Sequence, residues 1–509
     1  MSEKMNVLFI ITDQQRADHI GCAGNSDLKT PNLDRLAAEG LRFTNAYVAN
    51  PICMPNRSTI FTGKYPSIHG VRCNGINLDP DIPTLTQTLL DNGYYTCSIG
   101  KIHLNFYGTP FKRQFDSAEQ MIPFLFTPKD KRKPFPKPYY GLEEVELTIG
   151  HGDSVSGHYL DWIEERAPEY LEVIKHRAPR LFHEVLADSP IPEEIYHTTY
   201  ITEQTISFLK RFSEGYYGDK PFFLHCSFPD PHHPVCPPGK YKEMYNPDEV
   251  ELPPTLNDTK PLYKHGALGP YVNLFRRTTM RETTEEEARK FIAYSYGAIS
   301  MIDHSVGQIL AALNSFGLEK NTIVIFTSDH GDFMADHGLI LKGLAHFQGV
   351  LKVPFIWKVP GVTRPGTITN SLASSIDIPT TILNLLSFNA KDQPPLMQGC
   401  NLTPVLRDPE KKVRDHCIIE EDQDYHDSKD SHKMPSMKVR TMITENYRLT
   451  VYQNSEDAGD LYDLKNDPQE RHNLWYDDNS KELKNRLINK LLHELIKLQD
   501  RVPRRQARA

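Results

Sequence analysis

The chain has 509 residues, which is enough for one large α/β domain and a smaller second domain and excludes a minimal binding module. Hydrophobic residues make up 39% and charged residues 24% of the chain, so a disordered protein is excluded and a large core is available. Lys and Arg total 58 against 66 Asp and Glu, and the net charge of -8 gives no general attraction to nucleic acid or to an anionic membrane.

The sequence contains no run of about 18 apolar residues, and its first apolar run is too short for a signal-peptide core. We therefore expect a cytoplasmic protein with neither a membrane nor a nucleic acid as partner. The eight cysteines include no CxxC pair, which argues against a disulfide framework and against structural zinc.

Short apolar runs bounded by turn residues are typical of buried strands in a mostly parallel sheet. Five such runs occur, at Val7–Ile11, Tyr95–Ile99, Phe222–Phe228, Thr322–Phe326 and Val353–Trp357. Helical patterns lie between them. Two of these patterns have clear end signals, Thr30 and Pro31 before Gly40, and Thr84 before Gly93. The alternation predicts an α/β fold built from βαβ units.

The chain is predicted to divide into a catalytic domain, residues 1–408, and a C-terminal subdomain, residues 409–509. Within the first, the irregular stretch Asn105–His197 is expected to supply substrate-binding loops. In the second, we expect a small sheet, with strands at Cys417–Glu420 and Val439–Gln453, and a terminal helix. That helix has leucines at four-residue spacing, Leu483, Leu487, Leu491 and Leu495. We expect this row to pack on its own domain, and a homo-oligomer contact is the alternative.

Acidic, amide and imidazole side chains follow two of the predicted strands. Asp13 and Gln14 come after the first strand, and Asp329 and His330 come shortly after the strand that ends at Phe326. Because ligands bind outside the carboxyl ends of strands in open α/β sheets, these side chains are expected to meet at one edge. They suit one divalent cation, Ca²⁺ or Mn²⁺, with Mg²⁺ as a third option. Helix capping by the acids is the alternative.

Cys53 is predicted to lie at the start of a helix. Pro55 suits the first helical turn, and Gly63 suits the end of the helix. The free N–H groups at that end favour an anion beside Cys53, and Arg57, one turn later, can bind an oxyanion with two hydrogen bonds. The alternative for a single cysteine is a small buried apolar side chain.

Cations and imidazoles follow the other predicted strands. They are Lys101 and His103, His232 and Lys342. Lysine and arginine opposite a metal would neutralise the oxygens of a tetrahedral anion, and the imidazoles could transfer protons. This combination indicates ester hydrolysis at phosphorus or sulfur, although each residue alone could be an ordinary surface or core residue.

Six motifs occur in the order found in type I sulfatases. They are TDQQ at 12–15, CxPxR at 53–57, GKxH at 100–103, PHxP at 231–234, SDHGD at 328–332 and LYDLxxDPxExxNL at 461–474. The chain thus resembles the formylglycine-dependent sulfatases of the alkaline phosphatase superfamily over nearly its whole length. The number and order of the motifs make an accidental match implausible.

The resemblance implies an alkaline phosphatase-like α/β sandwich with a mostly parallel sheet and a smaller α+β C-terminal subdomain. It implies that Asp13, Gln14, Asp329 and His330 bind the metal. Cys53, oxidised after translation to formylglycine, would be the nucleophile, so a formylglycine-generating or sulfatase-maturing enzyme is an implied partner. The hydrated aldehyde has two hydroxyls: one attacks sulfur, and the other later loses its proton so that sulfate leaves without attack by water.

The same resemblance implies roles for the remaining residues. Arg57, Lys101 and Lys342 would hold the sulfate oxygens. His103 would be the base for breakdown of the intermediate, and His232 or Lys342 would assist the leaving group. Asn74 would correspond to an Asn near the nucleophile of phosphonate monoester hydrolases.

Several positions depart from the usual sulfatase pattern. Asn56 stands where Ser, Thr or Ala is common in the maturation motif, and His346–Gln348 replaces a stretch that often has Tyr, Glu, Glu. Gln14 and His330 resemble the phosphonate monoester hydrolase and choline sulfatase branches. Lys101 with His103 resembles the sulfatases more than the phosphonate hydrolases.

We therefore predict a metal-dependent hydrolase of small sulfate esters, arylsulfatase-like, that releases sulfate and an alcohol. One alternative is a phosphonate monoester or phosphodiester hydrolase using the same site. A second is a noncatalytic anion-binding protein whose Cys53 stays unmodified.

Overall fold

The structure is a computed structural model that describes residues 4–108, 116–177, 184–258, 268, 280–424 and 436–499. Its strands are β1 Asn6–Thr12, β2 Leu41–Tyr47, β3 Tyr95–Gly100, β4 Glu144–Ile149, β5 Ser156–Gly157, β6 Phe222–Ser227, β7 Met280–Glu282, β8 Thr322–Ser328, β9 Leu339–Leu341, β10 Phe355–Lys358, β11 Thr367–Ser374, β12 His416–Gln423, β13 Met437–Thr444, β14 Tyr447–Tyr452 and β15 Gly459–Asp463. Its α-helices are α1 Pro31–Glu39, α2 Cys53–Thr62, α3 Pro66–His69, α4 Leu85–Asp91, α5 Met121–Phe126, α6 His158–Arg166, α7 Leu171–Arg177, α8 His197–Ser213, α9 Glu285–Ser315, α10 Gln348–Leu351, α11 Asp377–Leu385, α12 Thr403–Arg407 and α13 Lys481–Gln499.

A nine-stranded sheet forms the centre of the molecule, with the strand order β11-β2-β10-β8-β1-β6-β3-β4-β5. Only β10 and β5 run against their neighbours, and the other adjacent strands are parallel. The middle strands β1, β6 and β8 are buried along their whole length, as expected for parallel strands covered on both faces. The predicted α/β class with a mostly parallel sheet is confirmed.

The alternation of side chains along β1 shows how the sheet is covered. Leu8 and Ile10 point to one face, which α1, α8 and α9 cover, and Val7, Phe9 and Ile11 point to the face covered by α4, α11 and α12. This packing fixes β1 against sliding, because a shift of one residue would exchange the two sets of side chains. The carboxyl ends of β1, β3, β6 and β8 are therefore held rigidly at one edge.

The five predicted strands correspond to β1, β3, β6, β8 and β10, although β10 is antiparallel to both of its neighbours. The two predicted helices are α1 and α4, and the Thr84 side chain accepts the N–H of Gln87 as a helix cap. Part of the irregular stretch after Asn105 is not a loop, because β4 extends the central sheet beside β3 and buries Val145, Leu147 and Ile149.

A separate antiparallel sheet, in the order β12-β13-β14-β15, follows towards the C-terminus. The predicted strand Val439–Gln453 is in fact a hairpin of β13 and β14. In α13, Leu487 and Leu491 are buried with Leu449, Leu461 and Trp475, so the inner side of the leucine row packs on this small sheet. The division at residue 408 stays a prediction. Across the described residues, every helix is too short or too polar to span a bilayer.

Candidate active site

The end of β1 and the end of β8 place two carboxylates next to each other. Thr12 pairs with Ser328 in the sheet, so Asp13 and Asp329 are the first residues after two aligned strands. The Asp329 N–H donates to Thr12 O at 3.1 Å, and the Gln14 N–H donates to Asp329 Oδ1 at 3.2 Å. Both carboxylates are fully buried, which is costly unless cations neutralise them.

Four buried side chains converge at this edge. One oxygen each of Asp13 and Asp329, Sγ of Cys53 and a ring nitrogen of His330 all lie within 4.8 Å of one another. His330 Nδ1 lies 2.9 Å from Gly331 O, to which it donates, so the lone pair of Nε2 faces the cluster. Gly331 is required here, because a Cβ on it would lie 2.0 Å from Gly349 O.

Gln14 completes the set of oxygen donors. Its Nε2 donates to Asp332 Oδ2 at 2.6 Å and lies 3.2 Å from His233 Nδ1. These two contacts use both N–H groups of the amide. Its Oε1 is buried and has no hydrogen-bond partner among the described residues. A buried acceptor left unpaired in this way fits a cation ligand, and carboxylate, amide and imidazole groups together fit a divalent ion.

Cys53 is the first residue of α2, as predicted. Its Sγ lies 3.1 Å from His330 Nε2, 3.0 Å from Lys342 Nζ and 3.8 Å from Asp13 Oδ1. Burial and Asp13 raise the pKa of the thiol, but Lys101, Lys342 and His330 lower it by more, so the pKa lies below its usual value. Cys53 is thus buried among charged and polar groups and not among apolar side chains alone.

Arg57 lies one turn further along α2 and is held by three acceptors. Its Nε donates to Asp329 Oδ2 at 2.7 Å, and its Nη1 donates to Lys101 O and to Ser227 Oγ, both at 2.9 Å. Its Nη2 is buried, has no hydrogen-bond partner among the described residues and lies 3.7 Å from Asp13 Oδ2. One edge of a rigidly held guanidinium thus remains available to an anion.

Two lysines approach the same cluster from different strands. Lys101, after β3, forms an ion pair with Asp13 and lies 2.7 Å from His151 Nε2. Lys342, after β9, lies 3.0 Å from His232 Nε2 and 2.8 Å from His330 Nε2. Gly100 at φ 105° makes the turn into Lys101 possible, since a Cβ there would lie 1.8 Å from Ser227 O.

The electrostatic balance keeps Asp13 ionised and Lys342 charged. Burial raises the pKa of Asp13, but the cations around it, Lys101 foremost, lower it by more, so the pKa lies well below its usual range. Burial lowers the pKa of Lys342, but Cys53 and Asp13 raise it above its usual value.

His103 is neutral in this environment, because burial, Lys101 and His151 hold its pKa well below the usual value. It has a positive φ of 61°, and its ring stacks on Tyr107 at 3.8 Å between centroids. Glu119 fixes this turn, since its carboxylate accepts the N–H groups of His103, Leu104 and Asn105 at 2.6 to 2.9 Å.

His232 belongs to a stack of three imidazoles with His151 and His233. Its Nδ1 lies 2.5 Å from His233 O and donates to it, which leaves Nε2 to accept a hydrogen bond from Lys342. Burial, His151 and Lys342 hold the pKa of His232 well below its usual value, so it is also neutral.

The structure brings ten of the eleven sequence-predicted site residues into this buried cluster. The eleventh, Asn74, is exposed, and its Oδ1 caps α2 by accepting the Met54 N–H at 3.2 Å. Sequence reasoning missed His151, which follows β4, and His233. The rule of inspecting strand ends would have found His151 had β4 been predicted.

The chain is similar to known proteins over most of its length. The family model of the sulfatases matches residues 5–388, and the model described as N-sulphoglucosamine sulphohydrolase, C-terminal, matches residues 335–497. An arylsulfatase of Clostridium perfringens is 29% identical over 95% of this chain and 92% of its own. The multifunctional alkaline phosphatase superfamily protein PehA of Trinickia caryophylli is 30% identical over 79% of this chain and 77% of its own. The phosphonate monoester hydrolase of Agrobacterium radiobacter shares the fold, with a TM-score of 0.78 and 24% identity over 97% and 96% of the two chains.

Proposed function

Because the chain belongs to the sulfatase family and is a sulfuric ester hydrolase, we propose that it cleaves sulfate monoesters with a formylglycine nucleophile made from Cys53 and one divalent metal ion. One observation carries this proposal. The side chain at position 53 lies in the same buried cluster as the candidate metal ligands, and its Sγ is 3.0 Å from the Lys342 ammonium. A nucleophile must lie beside both its activating cation and the groups that bind the anion.

Asp13, Gln14, Asp329 and His330 would hold the metal, which supplies Lewis-acid activation of the nucleophile and of a substrate oxygen when it is bound. Formylglycine would supply a hydroxyl nucleophile that can later release sulfate. Maturation of Cys53 requires a modifying enzyme as a partner. The metal is of the hard, oxygen-binding kind, Ca²⁺ or Mn²⁺ with Mg²⁺ as a third option.

The cations of this chain would bind and orient the sulfate group. Arg57 offers its free Nη2 edge, and Lys101 and Lys342 offer ammonium donors from other sides. Held in a buried site, such donors stabilise negative charge more strongly than water does. We assign proton donation to the leaving oxygen to Lys342, because neutral His232 accepts a hydrogen bond from it. Neutral His103 would accept the proton when the intermediate breaks down.

The preference for sulfate rests on the number of charged groups around the anion. A sulfate monoester has three non-bridging oxygens, whereas a phosphonate monoester has two and one carbon substituent. Lys101, Lys342 and Arg57 approach from three elements, which suits three oxygens better than two oxygens and an apolar group.

Phosphonate monoesters or phosphodiesters are the second candidate substrates. The amide and imidazole in the metal set, Gln14 and His330, are compatible with them, because these residues resemble both the phosphonate monoester hydrolase and the choline sulfatase branches. Steady-state turnover of an aryl sulfate and of the matching aryl phosphonate ester separates the two. We expect a higher kcat/KM for the sulfate, and a strong phosphonate preference would overturn this choice.

The nucleophile has its own test. Mass spectrometry of the peptide that contains residue 53, from protein made in its native host, should show a species about 18 Da lighter than the cysteine form. Cys53→Ser should abolish activity, and Cys22→Ser, at a half-buried cysteine outside the site, should keep it. A fully active protein whose peptide is wholly unmodified would contradict the formylglycine assignment. A cytoplasmic location stays a prediction.

A further inference from the structure

We propose that Tyr107 is a further substrate-binding residue, whose hydroxyl donates a hydrogen bond to an oxygen of the bound sulfate group. This inference rests on the proposed function, which assigns Tyr107 no role. It concerns a phenol that lies among the catalytic side chains and is outside all six sequence motifs.

Site residues surround the Tyr107 ring. The His103 ring is nearly parallel to it, at 3.8 Å between centroids and 15° between planes. Lys101 Nζ lies 5.9 Å from the ring centroid, and the His151 ring lies 6.3 Å away. Lys101 is itself held by its ion pair with Asp13, so the phenol lies beside residues of the candidate active site.

The hydroxyl of Tyr107 is buried and has no hydrogen-bond partner among the described residues. Buried hydroxyl groups are nearly always paired, so this one calls for an acceptor. The nearby Glu119 is already occupied, since its carboxylate accepts three backbone N–H groups and the Tyr139 hydroxyl. The unpaired donor therefore resembles the free Nη2 of Arg57 in the same site.

The charges around Tyr107 keep it a donor. Burial and Glu119 raise the pKa of Tyr107 well above its usual value, although Arg57 lowers it. The group thus stays protonated at any pH at which the enzyme would work.

The test compares Tyr107→Phe with wild type in the full-length, matured protein. Phenylalanine keeps the ring that stacks on His103 and removes only the hydroxyl. We expect kcat/KM for an aryl sulfate to fall about 10- to 100-fold, the usual cost of losing a hydrogen bond to a charged group. The dissociation constant of inorganic sulfate, measured by calorimetry, should rise by a similar factor.

A matched control is Tyr159→Phe, which removes another buried hydroxyl, one bonded to Ile195 O at 2.7 Å. It should leave both readouts within twofold of wild type. Melting temperature is recorded for all three proteins, because a purely structural role would lower it without raising the KM or the sulfate dissociation constant.

Two results would overturn the inference: a Tyr107→Phe enzyme with unchanged kcat/KM and sulfate affinity, or one whose only defect is its melting temperature. Failure of wild type on all sulfate esters would instead overturn the proposed function. The Tyr107 test would then still stand, because the sulfate titration compares the variants without turnover.

Discussion

Asp332 controls which atom of the Gln14 amide faces the metal site, and Asp332→Asn should reverse the orientation of that amide. Asp332 Oδ1 accepts the N–H groups of Met334 and Leu341 at 2.6 and 3.0 Å, and its Oδ2 accepts Gln14 Nε2. In the asparagine variant, the oxygen would keep the two backbone N–H groups and the new NH₂ would face Gln14. Two donors cannot face each other, so the Gln14 amide should rotate and turn its NH₂ towards the metal site.

The magnitude follows from the loss of one ligand. Partners that orient metal ligands typically contribute about 10- to 100-fold to metal affinity. This corresponds to about 1.4 to 2.7 kcal/mol. Calorimetric titration of the metal-stripped protein with Ca²⁺ and with Mn²⁺ measures it directly. We expect Asp332→Asn to weaken binding by such a factor and to leave the secondary structure unchanged.

A double-mutant cycle separates the proposed mechanism from general damage to the site. If Asp332 acts only through Gln14, the double variant Gln14→Ala/Asp332→Asn should bind metal as Gln14→Ala does. Fully additive losses would refute the reasoning, and so would an Asp332→Asn protein that binds metal within twofold of wild type.

Three further predictions concern other buried groups. Glu119→Gln places an NH₂ against the N–H groups of the turn that carries His103, so kcat should fall about tenfold or more. Tyr139→Phe removes only one donor to Glu119 and should lower kcat by less. If the two variants have the same kcat, the positioning role of Glu119 is contradicted. In Arg57→Lys, the lysine cannot make the three contacts of Arg57 to Asp329, Lys101 O and Ser227. Inorganic sulfate should therefore bind at least about tenfold more weakly by calorimetry. An unchanged affinity would count against Arg57 as a sulfate-binding residue. Burial lowers the pKa of His69 from 6.5 to about 3, so its contribution to stability is present above pH 6.5 and is lost as the pH falls. Between pH 8 and pH 5, protonation of His69 in the unfolded chain should lower the free energy of unfolding by about 2 kcal/mol. In denaturant unfolding at these two pH values, the decrease should be smaller by about that amount for His69→Gln than for wild type.

The fold and most of the site could be predicted because their signals are local. Short, mostly apolar runs identify β1, β6 and β8, and the polar residues after each run are read directly from the chain. Proline and glycine mark the ends of α2, which placed Cys53 and Arg57 at the correct end of a helix.

The residues that were missed lie on elements with a mixed pattern. β4 alternates Glu with apolar residues, and β2 carries Arg42 and Thr44 on its second face, so neither is a continuous apolar run. The contact between Lys101 and His151 joins residues fifty positions apart, and only the pairing of β3 with β4 creates it. Tyr107 has no sequence signal of its own, because its unpaired hydroxyl is visible only in three dimensions.

The two carboxylates are already neutralised by the cations that would bind substrate, and this predicts a coupling between metal and sulfate. Asp13 is paired with Lys101, and Asp329 is paired with Arg57. A divalent ion on these acids would take over their neutralisation and leave the lysine and arginine to an anion. Sulfate should therefore bind more tightly with Ca²⁺ present, and by linkage Ca²⁺ should bind more tightly, by the same factor, with sulfate present. Calorimetry of each ligand with and without the other measures both factors. Independent binding would show that Lys101 and Arg57 stay with their carboxylates, and the anion would then have to be held by Lys342 and the metal alone.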